Sequence, residues 1–237
     1  MEKYEIVSFI PARGGSKRIP KKNIKMLAGK PMINWTIEAS LKSKYIDRTF
    51  VSTEDKEIKE IALKAGAEVI DRPEEFTVDG TMAMVMSINQ FMYHLWKEDY
   101  QPDIYIHLYP TNPLRTTIHI DEAIELHRES KEDFLCSVCL SPDDVQAARY
   151  INNKTGLLEY YYNFTKFRDP SQYTKIYRYN GAIAIGHFPL CVSTYLHNHV
   201  KPYIMTRQDA IDVDTPFDLK IAEMLLEERI KGRGKND

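Results

Sequence analysis

Two stretches of this 237-residue chain hold side chains whose types and spacing could do chemistry. The first is Arg13–Asn23, which carries the adjacent glycines Gly14 and Gly15 and five basic residues: Arg13, Lys17, Arg18, Lys21 and Lys22. Adjacent glycines let backbone N–H groups approach a ligand closely. Such groups, joined by Arg and Lys after a strand, make an anion site suited to phosphates. Neither the GxxxxGK[ST] pattern nor GxGxxG is present, so this is not a P-loop or a dinucleotide fingerprint. The second stretch is Asp212-Val213-Asp214-Thr215-Pro216. In an extended segment, residues two apart share a side, so Asp212 and Asp214 present two carboxylates together. Paired carboxylates repel unless a cation or shared proton compensates them. Mg²⁺ is the fitting cation, being held by one or two carboxylates plus substrate phosphates. The plainer readings are an exposed basic loop and a helix N-cap. Together, a phosphate cradle and a metal pair point to nucleoside triphosphate chemistry.

Other candidates carry less. Cys136 and Cys139 form a CxxC inside an apolar strand, where their side chains point to opposite faces, and no second CxxC completes a zinc site. His197 and His199 lack a third ligand nearby. The Met-rich run with Met82, Met84, Met86 and Met92 suits a core or an interface. No Gly-x-Ser-x-Gly elbow is present, which disfavours a serine hydrolase.

The elements that must position these groups alternate. Apolar runs predict strands at Ile6–Ile10, Arg48–Ser52, Glu68–Ile70, Ile104–Leu108, Phe134–Leu140, Gly181–Ile185 and Tyr203–Met205. Between them, helical spacing predicts helices from Pro31 as first helical residue, from about Asp55 to Ala65 with a stop at Gly66, at Thr81–Trp96, at Thr116–Ser130 and from Thr215 as N-cap to Ile230. Strand–helix alternation implies an α/β fold, a mostly parallel sheet with helices on both faces and ligands at the carboxyl ends of strands. The rhythm breaks over 141–179. That stretch holds seven of the 15 Tyr and reads as a β-rich arm or small subdomain inserted into a core of 1–140 and 180–237.

Composition narrows the classes. Lys and Arg number 32 against 34 Asp and Glu, a net charge of −2, which excludes a basic nucleic-acid binder of the usual kind. A hydrophobic share of 43% with 28% charged residues fits a folded globular chain. No apolar run approaches the roughly 20 residues of a membrane span. The residues Met1–Glu5 do not read as a signal peptide, and three Cys do not suggest a disulfide framework, so a cytoplasmic location without membrane attachment is expected.

Several motifs, in order, resemble those of the acylneuraminate cytidylyltransferases, the CMP-sialic acid synthetases and their relatives for other nonulosonic acids and Kdo. They are Ile10–Asn23, Leu27–Pro31, Val51–Glu54, Glu68–Pro73, Pro110–Arg115, Tyr179–Ile183 and Gln208–Pro216. The resemblance implies transfer of CMP from CTP to a hydroxyl of an acidic sugar with release of pyrophosphate. It also implies a Rossmann-like nucleotidyltransferase fold, Mg²⁺ as cofactor and a homodimer whose dimerisation arm, 141–179, reaches over the partner's site. By position it assigns Arg13 and Lys22 to the triphosphate, with Ser16 and Lys17 beside them. Asn23 and Arg72 would meet the nucleotide, Ile10 and Ala12 would offer backbone, and Asp212 and Asp214 would hold Mg²⁺. Arg13, Lys22 and Asp214 would be the catalytic groups. The resemblance leaves the base open between a carboxylate such as Asp214 and a metal-bound hydroxide.

The acceptor half departs from the family pattern. Tyr109 stands where sialate enzymes usually have Gln, and the Arg-Arg-Gln signature is replaced by Phe167–Tyr173, with Arg168 as a displaced cation. Arg149 is the basic residue available early in the arm, and Asp79–Ala83 replaces a Ser-rich segment. Tyr109, Thr111, Asn180 and Arg168 are the expected acceptor contacts. Two other readings stay open: cytidylyl transfer to a phosphonate or phosphorylated small molecule, and a non-catalytic nucleotide-binding homologue.

Overall fold

Why one loop and one acidic segment meet is decided by how the sheet is wound. The structure, a computed structural model, describes residues 4–73, 81–141, 149–160, 175–188 and 199–233. A seven-stranded sheet has the order β11-β7-β10-β6-β1-β4-β5. Its strands are β1 (Ile6–Pro11), β4 (Arg48–Thr53), β5 (Glu68–Asp71), β6 (Ile104–His107), β7 (Phe134–Leu140), β10 (Tyr177–His187) and β11 (Lys201–Ile204). Six run parallel, while β10 is antiparallel to both β6 and β7. Among the described residues, two small hairpins complete the strands: β2 (Met26–Leu27) with β3 (Lys30–Pro31), and β8 (Arg149–Ile151) with β9 (Leu158–Tyr160).

The helices are α1 (Met32–Leu41), α2 (Lys56–Lys64), α3 (Thr81–Lys97), α4 (Thr117–Glu129) and α5 (Pro216–Arg233). Strand alternation sorts the core. Ile6 and Ile10 face α1, α2 and α4 through Ile33, Ile37, Ile58 and Ile120, all buried in one cluster. Val7 and Phe9 face the other way, onto Ile88, Phe91 and Leu95 of α3. Each fully buried side chain of this size contributes about 1.5–3 kcal/mol.

Boundaries follow local chemistry. Asp55 caps α2 by accepting from the Glu57 and Ile58 N–H groups, and Gly66 follows that helix at φ 94°. Pro31 lies one residue earlier than its expected role: it is the N-cap of α1, with extended ψ 138°, because it still pairs with Met26 in the β2–β3 hairpin. The last three residues of the expected arm, Tyr177–Tyr179, pair with β7 in the main sheet. Its described middle, 149–160, contains the β8–β9 hairpin.

A third cluster matters most for function. Ile19 of the basic loop, Leu27, Met32, Leu114 and Val213 are buried together with Ala222 and Leu226 of α5. Ile19 and Val213 are the apolar anchors of the basic loop and the acidic segment. Their shared burial clamps the two stretches against one another.

Candidate active site

The phosphate-type loop leaves the carboxyl end of β1. Ile10 and Ala12 are fully buried, and the Ala12 N–H donates to the Ser52 carbonyl at 2.9 Å, extending the β1–β4 ladder. Gly14 then passes so close to α2 that a Cβ there would stand 2.5 Å from Asp55 Oδ2 and 2.8 Å from Asp55 Cβ. The Gly14 N–H donates to Glu54 Oε1 at 2.6 Å. The Asn23 amide donates to the Arg13 carbonyl at 2.9 Å and closes the loop, while its Oδ1 is buried without a protein partner. Ser16 is half-buried and Lys17 exposed along the same turn. Arg72, just beyond β5, is buried and donates to Ser52 Oγ at 3.2 Å and to the Ser52 carbonyl at 3.1 Å. Burial lowers its pKa, the Glu54 carboxylate opposes that, and the Arg13 guanidinium adds to it. Arg13, after β1, and Arg72, after β5, thus gather positive charge at the carboxyl edge of the sheet.

The acidic segment lies across from them. The Val213 N–H donates to the Thr111 carbonyl at 2.8 Å, which fixes the residue between the two aspartates. Lys22 Nζ donates to the Val213 carbonyl at 2.9 Å and to Asp214 Oδ1 at 3.0 Å. Arg18 donates to Asp214 Oδ2 at 2.8 Å. Asp212 is open to solvent on one side, yet its carboxylate is set among protein atoms. That enclosure pushes its pKa up; the Thr111 hydroxyl opposes the shift and the Asp214 charge reinforces it. Enclosure alone would raise Asp214 as well, but Lys22 and Arg18 outweigh it and hold that carboxyl below its ordinary value.

The capping reading of these aspartates does not hold. Asp218 accepts from the Thr215 N–H at 2.7 Å, and the Thr215 hydroxyl accepts from the Asp218 N–H at 3.2 Å. This reciprocal pair caps α5, with Pro216 in the first helical position as its fixed φ favours. The side chains of Asp212 and Asp214 are left for other work.

Beside them opens a cleft of about 580 Å³, lined by Tyr109, Thr111, Asn180, Asp212 and Asp214 and also by Arg178. The wall comes from an irregularity in β10. Tyr179 lies opposite Val138 and Ala184 opposite Cys136, so five steps on β10 match two on β7 and three residues are extra. Ser137 holds this bulge: its hydroxyl is 2.5 Å from Asn180 Oδ1 and accepts from the Ile183 N–H at 2.8 Å. Gly181 adopts φ 75° there, close under the Tyr109 ring. The Asn112 amide donates to the carbonyls of Asn180 and Ile211 at 3.1 and 3.2 Å, tying the bulge to the acidic segment.

Two buried groups support the Tyr109 turn. Arg115 donates to the Ala182 carbonyl at 2.6 Å, to the Tyr109 carbonyl at 3.2 Å and to Thr36 Oγ1 at 2.7 Å; burial depresses its pKa to about 9. His107 packs its ring 4.3 Å from that of Tyr109. Burial, with the Arg115 and Arg72 charges, lowers its pKa to about 3.

The structure therefore brings Tyr109, Thr111, Asn180, Asp212 and Asp214 to one cleft. Lys22 joins that cleft to the loop bearing Arg13, Asn23, Ile10 and Ala12. Arg168 lies outside the described residues, as do His197, residues 142–148 and Asp79. Sequence reasoning missed Arg178, Glu54 and His107 as site neighbours. Arg178 and Glu54 lay within quoted motifs or directly beside them, whereas His107 gave no signal beyond a polar residue in an apolar strand. Cys139 is buried and Cys136 partly so; burial pushes the Cys136 thiol up to about 11, as a packing role requires. Among the described residues, no helix is long and apolar enough to cross a membrane, and no cluster of three or more His, Cys, Asp or Glu could hold a metal ion.

The chain is similar to known proteins over most of its length. The CMP-N,N'-diacetyllegionaminic acid synthase of Legionella pneumophila is 31% identical, over 94% of this chain and 96% of that protein. The pseudaminic acid cytidylyltransferase of Campylobacter jejuni is 32% identical, over 92% of this chain and 94% of the relative. A solved structure of CMP:2-keto-3-deoxy-manno-octonic acid synthetase complexed with CTP shares the fold at TM-score 0.69 and 16% identity, covering 95% of this chain and 99% of that one. Residues 7–229, from β1 with its basic loop to the α5 helix behind the aspartates, match one family throughout, and the chain belongs to the cytidylyltransferases.

Proposed function

We propose that the chain transfers CMP from CTP to a hydroxyl of a nonulosonic or related acidic sugar and releases pyrophosphate, making an activated CMP-sugar. The contact of Lys22 with Asp214 carries this reading, because it joins a phosphate-type loop to a carboxylate pair beside an acceptor-sized cleft. The names of the relatives favour an acidic sugar as acceptor.

In this reading Arg13, Lys22, Ser16 and Lys17 receive the triphosphate. Arg13 and Lys22 offset charge that develops at the α-phosphate. Asn23 and Arg72 take the nucleoside, and the buried, partnerless Asn23 Oδ1 is an acceptor suited to a ligand N–H. Tyr109, Thr111, Asn180 and Arg168 take the acceptor. A phenol at Tyr109 differs from an amide in shape and hydrogen bonding, so it bears on which sugar is accepted. Holding the hydroxyl in line with the α-phosphate is the main task of the cleft.

Asp212 and Asp214 suit Mg²⁺. They line one cleft, neither side chain caps α5, and enclosure together with the charge of Asp214 raises the pKa of Asp212, a cost that a cation relieves. When bound, Mg²⁺ would supply charge compensation for the phosphates. Asp214, held ionised by Lys22 and Arg18, is also a candidate to take the proton of the acceptor hydroxyl.

The working form is proposed to be a cytoplasmic homodimer. Tyr150, Ile151, Leu157 and Leu158 on the β8–β9 hairpin are exposed apolar side chains of the kind an interface covers.

The test is pyrophosphate release with each of the four nucleoside triphosphates and a panel of nonulosonic acids and Kdo. Turnover with CTP and an acidic sugar is expected. Strong turnover with ATP or GTP but none with CTP overturns the nucleotide assignment. CTP binding without turnover on any acceptor points instead to a nucleotide-binding homologue.

A further inference from the structure

Both oxygens of Asp214 are engaged by cations, Lys22 on Oδ1 at 3.0 Å and Arg18 on Oδ2 at 2.8 Å. The two cations are not held alike. Lys22 is largely buried, its side chain only 16% exposed, and it has a second anchor on the Val213 carbonyl. The Arg18 side chain is 66% exposed, and Asp214 is its only hydrogen-bond partner among the described residues. An exposed ion pair with one contact is worth little and is readily exchanged. Arg18 also belongs to the basic loop, four residues beyond Gly14, and its planar guanidinium can grip a phosphate through two N–H groups.

We propose that Arg18 is an exchanging residue: it occupies Asp214 Oδ2 in the free protein and passes to the β- or γ-phosphate when the nucleotide arrives, releasing that oxygen for a divalent cation. The proposal rests on the reading of the site as a metal–triphosphate centre. Lys22 stays on Asp214 throughout, and Arg18 alone changes partner. Nucleotide and cation then bind cooperatively, because the phosphate removes the group that competes with the cation. This differs from a fixed structural ion pair, whose loss would weaken both ligands or neither.

The experiment compares wild type, Arg18→Gln and Lys21→Asn. Lys21 carries the same charge in the same loop but pairs with Glu57, and its left-handed backbone, φ 53°, accepts Asn. Mn²⁺ binding to the nucleotide-free protein is measured by electron paramagnetic resonance, and inorganic pyrophosphate and CTP binding by calorimetry. Arg18→Gln is expected to bind Mn²⁺ about twofold to fivefold more tightly, the span of an exposed ion pair, and to bind pyrophosphate and CTP about tenfold or more weakly. Lys21→Asn is expected to match wild type for Mn²⁺. Any other pattern overturns the exchange, including unchanged affinities, both ligands shifting in the same direction, or equal Mn²⁺ tightening in Lys21→Asn. If wild type itself releases no pyrophosphate from CTP with any acceptor, the functional reading fails instead, and the two failures are distinct.

Discussion

The Lys22 ammonium lies 3.0 Å from Asp214 Oδ1, joining the loop after β1 to the segment before α5. Residues 192 positions apart thereby form one charge pair at the centre of the site. Asp214→Asn keeps the shape and removes the charge. It is expected to lower kcat/KM with CTP by about a hundredfold or more, with an unchanged circular dichroism spectrum, because the partly exposed pairs it breaks are worth at most about 1 kcal/mol. Wild-type rates in a steady-state assay would refute the role given to Asp214.

Asp212 is held above the ordinary carboxylate pKa by enclosure and by its neighbour's charge. A carboxyl raised on folding binds its proton more tightly in the folded state, so its ionisation opposes folding as pH rises through the raised value. Asp212→Asn is therefore expected to melt higher than wild type at pH 7 while losing activity. The gain shrinks as pH falls below the carboxylate range, where wild-type Asp212 is protonated whether folded or not. Thermal melts across pH 3–7 check the sign.

Gly14 has no room for a methyl group against Asp55. Gly14→Ala must displace the residue that caps α2, at a cost of about 0.5–2 kcal/mol. It also moves the phosphate loop, so CTP affinity is expected to drop more than stability does. Urea denaturation and CTP titration on the same sample separate the two effects.

His107, with a pKa near 3 against an ordinary 6.5, is neutral throughout the working pH range. Between those values the unfolded chain binds the extra proton, so stability falls as pH drops below about 6.5. His107→Gln is expected to flatten that limb by about 1.4 kcal/mol per pH unit. Denaturation midpoints at pH 4, 5 and 6 measure it.

Much of the sheet was legible because each strand and helix has its own period. The main-sheet strands through β7 and the helices α2, α3 and α4 were found within a residue or so of their observed ends, whereas α5 runs three residues past the expected Ile230 and the short β2–β3 hairpin gave no signal. The direction of β10 was not legible: the run Gly181–Ile185 is apolar in either orientation, and only pairing decides. The site divided in the same way. Arg13, Lys22, Asp212 and Asp214 stood out because charge and glycine cluster locally. The supports, Ser137 under the bulge, Arg115 on three acceptors and His107 behind Tyr109, depend on contacts between distant segments, which a linear pattern does not carry. The Thr215–Asp218 cap lies between these cases. Its Thr-x-x-Asp spacing was visible, and reading it as a unit would have freed Asp212 and Asp214 from the capping alternative at once.

Because β10 runs against its neighbours, β7 ends and β10 begins at the same edge of the sheet as the carboxyl ends of β1 and β6. The whole excursion between Leu140 and Tyr177 therefore leaves and returns beside the cleft. Its described middle, 149–160, forms a hairpin of its own rather than a strand of the sheet. In the proposed reading, the acceptor side of the site can therefore be altered without rebuilding the nucleotide side. One scaffold can in this way be inherited largely intact while the molecule it activates is replaced.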